Sequence, residues 1–586
     1  MILQSLYDLH SRLVNDSDYD LAPEGFSKQK VTFVVVLNPD GSLFDIQDAR
    51  VQDVEKKRPR IVVVPGATKK SGSKPDPCFL WDNSKYLLGY DNDRNKPDPA
   101  RAKKTFAAFK KKHLDLEKHL DLVEFSAVCR FLERWQPEMA RKYPILDEVG
   151  PGYGVFQIRG ETRYVHEHPE IVKWWNNRQA GKTPDLVSQC LVTGKTGPIA
   201  GLHPKIKNVS NKQAPLVSFN KKSFESYGKE QSFNAPVTED VAKKYVQVLN
   251  ALITGPMKDK HSIRLGGNTV VFWTTRRTVT EDVFAAFMSA GSTVPEGSGQ
   301  DEALTLKLKA FIKALKKGKE AYSQLGDDLK TDFYLLVLAP NAARISIRLF
   351  QKNSLTTLLD NLRRHFNDIG IERRFGEDTK NAEPEYPPLW LLLRQTARDS
   401  KDIPPLLSAP LLDAVIDGKR YPDGLYQAVM RRTSIERKLN YPRASVIKGY
   451  LVRNQGKEVP VTLDNSKTDP SYRLGRLFAA LEKTQKDALG EKLNRTIRDA
   501  FYSSASATPA VVFPRLLRTY QHHLSKLEGG WRVNREKLVQ EIMEPLDSFP
   551  AHLSLEEQGM FAIGYYHQMN DFYKSREKSK EKQVQE

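Results

Sequence analysis

Strand-type and helix-type sequence lie in different parts of this chain, and that separation constrains its fold more than any other feature. Val31–Leu37 is rich in β-branched residues, and it is followed by turn residues at Asn38–Gly41 and a second strand over Ser42–Ile46. After about residue 471, apolar residues recur with a helical period almost to Arg576. The pattern predicts an α+β fold with strands and helices segregated along the chain.

The predicted elements divide the 586 residues into three structured parts. Residues 1–237 are predicted to form a mixed α/β domain with antiparallel hairpins, the second of them over 155–158 and 164–165. Residues 238–453 are predicted to form a mostly helical middle region with one strand pair. The polar residues 454–470 are predicted to be a linker, and residues 471–586 to be an α-helical bundle.

Individual side chains can be placed within these elements. Lys103–Leu122 has helical periodicity that brings an apolar set to one side, namely Phe106, Phe109, His113 and Leu116. We expect Trp81 to lie in a core, and Tyr227 and Gly228 to form a turn.

The net charge points to a polyanionic partner. Lys and Arg total 91 against 72 Asp and Glu, a formal charge of +19. From Arg50 to Asp115 alone there are 17 basic and 8 acidic residues, about half of the surplus. With 39% hydrophobic residues the chain can still bury a core, so nucleic acid or an anionic surface is the expected partner of a folded protein.

A basic loop follows the β-branched run Ile61–Val64. Its Gly and Ser residues let backbone N–H groups approach a nucleic acid closely, and its Lys residues displace counterions from phosphates. We expect this loop to probe a DNA groove, and its residues are Lys69, Lys70, Ser71, Gly72, Ser73 and Lys74.

Known catalytic motifs are absent or incomplete. Gly194-Lys195-Thr196 lacks the Gly that a phosphate-binding loop requires five positions earlier, where Gln189 stands. Three dispersed cysteines exclude a disulfide framework and a Cys-rich zinc site, and no carboxylate cluster suited to a metal-dependent nuclease stands out. We therefore expect no enzyme activity, no cofactor and no metal.

The sequence also indicates the cellular compartment of the protein. No run of about 18 apolar residues occurs, and the first residues lack the layout of a signal peptide. We expect a reduced, cytoplasmic protein with no membrane contact.

Several sequence blocks resemble one known family, the large subunit of the type I-C CRISPR Cascade surveillance complex, which is a Csd-type CRISPR-associated family. The blocks span the chain, and they are Met1–Asp8, Phe26–Val31, Phe79–Tyr86, Leu216–Asn220, Phe224–Gly228, Asn234–Pro236, Leu338–Arg348, Phe549–Pro550, Gln558–Gly559 and Phe561–Gln568.

The resemblance implies a function and a set of partners. The family's large subunit reads the protospacer-adjacent motif in duplex DNA, helps to start strand separation, holds the displaced strand and recruits a helicase-nuclease. Its other implied partners are the guide RNA, the Cascade subunits that bind the RNA backbone and its 5′ handle, and a small subunit produced separately from the C-terminal region.

This role would draw on two polar loops and one wedge. An A·T-rich motif presents mostly hydrogen-bond acceptors in the minor groove, which suit Lys, Asn, Gln and backbone N–H donors. We expect a second reading loop beside Lys69–Lys74, containing Asn208, Ser210, Asn211, Lys212 and Gln213. Gln213, Lys74 and Phe79 are candidates for the residue that wedges between base steps.

Other basic residues are candidate contacts to a nucleic-acid backbone. Arg344 and Arg348 have the period-two spacing of one strand face, together with Ser346. In the bundle, helical spacings relate Arg473, Arg476, Lys483 and Lys486, and likewise Arg495 and Arg498. From Arg473 to the end, 18 basic residues face 15 acidic ones, so the bundle as a whole is only slightly basic.

Two alternatives remain open at this stage. The chain could be a structural scaffold whose basic face binds only guide RNA and neighbouring subunits. Less in keeping with its motifs, it could be a metal-dependent nuclease.

Overall fold

The fold is taken from a computed structural model of the chain. It describes every residue except 17, 20, 24, 53–56, 67–74, 92–97, 151, 181–185, 290–328, 343, 374–385, 491–494 and 586. The described chain forms two compact units. The N-terminal unit comprises Met1–Lys205 and Val217–Ala251, and the C-terminal unit comprises Ile206–Leu216 and Leu252–Glu586.

A five-stranded mixed sheet organises the N-terminal unit. Its strands are β1 Phe26–Leu37, β2 Leu43–Asp48, β5 Arg60–Pro65, β6 Trp81–Asn83 and β7 Tyr153–Ile158. Two short antiparallel pairs accompany it, β3 Val51–Gln52 with β4 Lys57–Arg58, and β8 Val187–Gln189 with β9 Thr196–Pro198. The first predicted hairpin is confirmed, because β1 and β2 pair antiparallel across a turn in which Gly41 has φ +85°.

The second predicted hairpin is reduced to a single antiparallel bridge. Strand β7 pairs parallel with β1 on one side, and on the other side β6 pairs antiparallel with its residues Tyr153–Val155. Tyr164 contributes only an isolated bridge to Gln157, and Val165–Glu167 is a 3-10 turn. Period-two sequence indicated a strand here, but it could not indicate which strand is its partner.

Helices make up much of the rest of the N-terminal unit. They are α1 Ile2–Leu13, α2 Ser84–Leu87, α3 Pro99–Glu117, α4 Val123–Arg134, α5 Ile145–Val149, α6 Pro169–Ala180 and most of α7 Glu239–Thr254. Short 3-10 turns lie at Pro137–Lys142, Lys222–Phe224 and Gln231–Asn234. The predicted apolar face of α3 is confirmed, since Phe106, Phe109, His113 and Leu116 are all buried.

The C-terminal unit combines one sheet with many helices. The sheet is antiparallel, in the order β10 Ser262–Leu265, β11 Asn268–Thr274, β12 Asp332–Asn341 and β13 Arg344–Ser354. The helices up to the predicted linker are α8 Lys258–His261, α9 Val279–Ser289, α10 Leu355–Ile369, α11 Leu389–Arg394, α12 Ser408–Ile416, α13 Asp423–Glu436 and α14 Tyr441–Gln455, with a 3-10 turn at Ser400–Asp402.

The helices that follow are α15 Pro470–Leu489, α16 Ile497–Ala507, α17 Pro509–Leu524, α18 Gly529–Met543 and α19 Leu555–Gln585. Helices predominate in the part of the chain that the structure describes, and its strands form two separate larger sheets, so the chain has the α+β fold that its sequence predicts.

The predicted boundaries at 237/238 and 454–470 do not coincide with the division between the two units. Helices before and after residues 454–470 contribute to one hydrophobic core, for example through Ile447 and Leu477. The segment is held in place as well, because the Tyr472 hydroxyl accepts a hydrogen bond from the Asp464 N–H at 3.2 Å. Its polar composition therefore marks a connection between two helices of one core rather than between two units.

Two glycines allow a close contact between two helices of this core. A Cβ atom on Gly475 of α15 would lie 2.0 Å from the Phe561 carbonyl oxygen of α19. A Cβ atom on Gly564 of α19 would lie 2.0 Å from the Tyr472 carbonyl oxygen of α15. The two backbones thus touch at positions where any side chain would force them apart.

We expect Gly475→Ala to lower the free energy of unfolding of the C-terminal unit by about 3 kcal/mol, the upper end of the usual cost of overpacking. The measurement is the thermal unfolding of the full chain. Gly530→Ala in α18 is the matched control, because a Cβ atom there has nothing within 4 Å. Equal melting curves for the two variants would contradict the close contact.

Candidate nucleic-acid interface

The first predicted reading loop, Lys69, Lys70, Ser71, Gly72, Ser73 and Lys74, lies outside the described residues, and its role stays a prediction. The residues on either side of it are described. The indole Nε1 of Trp81 donates a hydrogen bond to the Pro65 carbonyl oxygen at 2.7 Å, and the Gly66 N–H donates to the Gly25 carbonyl oxygen at 2.8 Å. Trp81 is fully buried, as predicted, and it joins the chain before the loop to the chain after it.

A buried histidine holds the chain immediately after the loop. The Leu80 N–H donates to His113 Nε2 at 3.0 Å, and His113 Nδ1 donates to the Phe109 carbonyl oxygen at 2.8 Å. Leu80 itself has φ +60°, an uncommon conformation for a leucine, which this bond helps to maintain. The His113 ring must therefore be neutral, with its proton on Nδ1.

Phe79 is not available as a wedge. Its ring is 1% exposed and stacks on Trp175 with the ring centroids 5.1 Å apart. Its apolar packing against the α3 and α6 helices fixes the loop stem instead. The proposal that Phe79 inserts between bases is wrong for this reason.

The second predicted loop is described in full and has a fixed base. Ile206 and Ala214 form a backbone bridge at its two ends, and Val209 is 2% exposed inside it. Arg264 of β10 donates hydrogen bonds to the carbonyl oxygens of Asn208 and Val209. The loop is therefore clamped from both its ends and its interior.

The tip of this loop carries the predicted donors. Asn211, Lys212 and Gln213 are all exposed, and the Ser210 hydroxyl turns inward to donate to the Lys212 carbonyl oxygen. Asn208 is exposed too and has φ +55°, which asparagine tolerates better than most residues. Two side-chain amides and one ammonium group thus project together from a loop whose backbone is held.

Sequence reasoning missed an exposed aromatic residue. Tyr227 is 98% exposed and has φ +52°, and the following Gly228 has φ +69°. The two residues form the tip of a tight turn closed by a bridge between Ser226 and Lys229. The predicted turn is confirmed, but the sequence did not show that its tyrosine points into solvent.

Asn234 braces this turn from below. Its Oδ1 accepts from the Ser226 N–H at 2.9 Å, and its Nδ2 donates to the carbonyl oxygens of Lys229 and Gln231 at 2.6 and 2.9 Å. A bulky side chain at positive φ is strained, so it persists only where the surroundings over-determine it. An exposed ring on a braced turn is suited to contact another molecule.

The strand arginines are exposed at the edge of the second sheet. Arg344 and Arg348 are both exposed on β13. The register shifts at Val337/Leu338, so Leu349 pairs with Val337, Ile347 pairs with Leu338, and Arg348 is the extra residue of a bulge. The regular alternation expected for Arg344, Ser346 and Arg348 therefore ends before Arg348.

Two of the predicted bundle contacts lie in the interior. Arg473 is 4% exposed and donates to the carbonyl oxygens of Glu541 and Ile542, and Arg476 is 0% exposed and donates to Gln568 Oε1 at 3.0 Å. The prediction that they follow a phosphate backbone is wrong. Their helical spacing gives them a shared face, but that face packs against α18 and α19.

The remaining bundle cations differ in their surroundings. Lys483 forms an ion pair with Asp487, and Lys486 forms one with the buried Glu482 at 2.6 Å. Arg498 is half-buried, whereas Arg495 is exposed. Of this predicted set, Arg495 is the residue best placed to contact a partner.

The described part of the chain offers neither a metal site nor a membrane-spanning helix. It contains no group of three or more His, Cys, Asp or Glu side chains arranged to hold a metal ion. None of its helices combines the length and the apolar character needed to cross a membrane.

We expect acid to weaken the loop stem through His113. Burial lowers the pKa of His113 to about 3, against an ordinary value of 6.5. Below pH 6.5 the unfolded chain therefore binds a proton at His113 that the folded chain does not bind. The contribution of neutral His113 to the free energy of unfolding is complete above pH 6.5 and is lost as the pH falls toward 3. At pH 5 the loss is about 2 kcal/mol.

The measurement is urea unfolding at pH 7 and pH 5, with hydrogen exchange of the peptide containing Leu80 as a local probe. His113→Gln keeps one donor and one acceptor but does not titrate, so it should reduce the pH dependence. His522→Gln, at an exposed site, is the control and should leave the dependence intact. An unchanged pH dependence in H113Q would contradict the assignment.

Comparison with known proteins places the whole chain in one family. A comparison with curated proteins finds no match. The profile of one family, described as CRISPR-associated protein (Cas_Csd1), matches residues 6–573, which is nearly the entire chain. This match agrees with the resemblance seen in the sequence blocks, and the chain belongs to the CRISPR-associated Cas_Csd1 family.

Proposed function

We propose that this chain is the non-catalytic large subunit of an RNA-guided CRISPR interference complex, and that it recognises the protospacer-adjacent motif in duplex DNA and starts strand separation. The observation that carries the proposal is the clamped loop Ile206–Ala214, whose exposed tip presents Asn211, Lys212 and Gln213 together. Family membership supplies the setting, which is CRISPR defence.

The chemistry of the tip matches the task. In such complexes the guide RNA reads the target by base pairing, and the protein has to read only a short motif. The minor groove of A·T pairs presents acceptors, and amide and ammonium donors suit it. A loop held by Arg264 and Val209 loses little conformational freedom on binding, so more of its contact energy contributes to affinity. Lys69–Lys74 would add a second set of donors.

Tyr227 is the wedge in this proposal. Unstacking a base step costs about a few kcal/mol, and stacking a freed base on an aromatic ring returns about 1–3 kcal/mol. The ring is 98% exposed on a braced turn, and the exposed Lys221, Lys222 and Lys229 lie in the same segment of sequence. A rigid ring beside lysines could insert at the end of a duplex and hold it open.

The partners follow from this role. We expect the guide RNA and the subunits that bind its backbone and 5′ handle, target double-stranded DNA, and a helicase-nuclease, all in the cytoplasm. We also expect a small subunit made from the C-terminal region. A product starting near residue 471 would expose the side of α19 that contacts α13, where the Tyr426 hydroxyl donates to the Leu555 carbonyl oxygen at 2.8 Å.

The alternative is a structural scaffold that binds only guide RNA and neighbouring subunits. A scaffold would need basic surface but no exposed amide donors on a fixed loop and no exposed ring. A nuclease would need metal ligands or another catalytic group, and metal-dependent cleavage by the purified chain would support it.

We expect the triple substitution N211A, K212A and Q213A to weaken binding of motif-bearing duplex by at least about tenfold, because each good base-edge contact is worth about 1–3 kcal/mol. The measurement is a gel shift with the assembled complex and duplexes whose flanking triplet is varied. K195A removes one exposed charge as the triple variant does, and it should bind normally.

Changing Lys69, Lys70 and Lys74 to Ala tests the other loop in the same assay. Unaltered discrimination among triplets in both loop variants would favour the scaffold.

We expect Y227A to slow strand opening while leaving motif binding nearly unchanged, because the ring acts after the motif has been read. The measurement is the fluorescence of 2-aminopurine placed at the first base pair beside the motif. Y227F keeps the stacking ring and should open DNA at the normal rate. A target with a pre-opened bubble needs no strand opening and should remove the defect of Y227A. If the defect persists on the bubble, Tyr227 would instead bind a protein partner.

A further inference from the structure

A cationic cavity lies in the C-terminal unit, and none of the residues assigned above lines it. It has a volume of about 250 Å³ and opens between the end of α11, the end of α13 and the start of α14. Five cations and one carboxylate line it, namely Arg394, Arg398, Arg432, Lys438, Arg443 and Glu436. Such an excess of one sign around a cavity favours a bound anion.

Arg432 builds the wall of the cavity. Its Nη1 donates to the carbonyl oxygens of Arg394, Gln395 and Ala397 at 3.1, 2.9 and 2.7 Å, which fixes the chain after α11. Its Nη2 reaches the Glu436 carboxylate at 2.7 Å. The Arg432 guanidinium therefore holds the surrounding chain in place. We expect the other cations of the cavity to contact a ligand.

Arg443 forms the inner part of the cavity. It is 3% exposed, and it donates to the Lys438 carbonyl oxygen at 2.6 Å and to the Glu436 carboxylate. Its Nε is buried and has no hydrogen-bond partner among the described residues. The charge of this buried guanidinium adds to the positive potential inside the cavity, which favours an anion there.

Glu436 does not balance the remaining cations. Its single carboxylate is shared by Arg432 and Arg443, and these bonds to the two arginines help to keep the pKa of Glu436 below its ordinary value although burial opposes them. Arg398 and Lys438 are both exposed at the cavity and are positioned to meet a ligand from solution. The cavity therefore keeps a positive surplus at its mouth.

We propose that this cavity binds the sugar-phosphate backbone of a single nucleic-acid strand. Guanidinium groups match phosphate oxygens in geometry and charge. At about 30 Å³ for each water, 250 Å³ holds about eight waters, which is room for a phosphate and its adjoining sugar. With cations both inside and at the mouth, successive phosphates of one strand can be contacted without reading any base.

Strand binding at this cavity does not require motif reading, so single strands that carry no motif are used to test it. The full-length chain is titrated against a fluorescently labelled 20-nucleotide single strand at several salt concentrations. R398A with K438A should weaken binding by about tenfold and should reduce the salt slope by about 1.4, since each lost contact to a single strand lowers it by about 0.7. Both substituted residues are exposed, so folding should be preserved.

The matched control is K401A with R431A. These two cations are exposed on the neighbouring turn and on α13, and they do not line the cavity. The control should keep the original slope to within about 0.5, because general charge loss acts only weakly at a distance. Equal losses in the two double variants would overturn the proposal, because binding would then reflect net charge and not the cavity.

A second arm separates a strand from a free anion. Inorganic phosphate is titrated into the unlabelled chain by calorimetry and is also used to compete with the labelled strand. We expect the strand to bind at least about a hundredfold more tightly than phosphate, because several contacts act together. Phosphate binding as tight as that of the strand, and abolished in R398A with K438A, would overturn the strand assignment in favour of a small-anion site.

Discussion

The contact between α15 and α19 is the constraint on which the C-terminal unit depends. Gly475 and Gly564 let the two backbones touch, and 13 of the 20 residues of α15 are buried as a result. Polar side chains on that helix then need partners inside the protein. Arg476 finds them in Gln568 and Asn465, and Glu482 accepts from the Tyr565 hydroxyl at 2.8 Å. The internal hydrogen bonds of the bundle follow from how closely its two central helices approach.

The surface loops depend on a different kind of contact. Neutral or backbone-directed hydrogen bonds hold their stems, as at His113 and Trp81 beside one loop and at Arg264 below another. The tip of the Ile206–Ala214 loop is left exposed. Because the loop backbone is held, its exposed side chains start from fixed backbone positions. Such preorganisation lowers the entropic cost of binding. The Tyr227 turn braced by Asn234 has the same construction.

Arginine serves two purposes in this protein, and its surroundings decide which. Arg473 and Arg476 reach carbonyl, amide and carboxylate oxygens of the interior, and their donors are directed inward. Around the cavity near Arg443, one carboxylate faces five cations, so the positive charge there exceeds the negative charge. Guanidinium groups therefore mark structure where protein oxygens surround them, and we expect them to mark binding where cations outnumber carboxylates around a cavity.

Local pattern was sufficient to predict the β1–β2 hairpin, the buried face of α3 and the α+β class, since these depend on period, turn residues and composition over short stretches. Net charge indicated a polyanionic partner, and the sequence blocks indicated the family. The partners of β7, the interior position of Arg476 and the exposure of Tyr227 needed the folded chain. Spacing along a helix or strand tells which side chains share a face, but only packing against distant segments decides whether that face meets solvent, protein or a ligand.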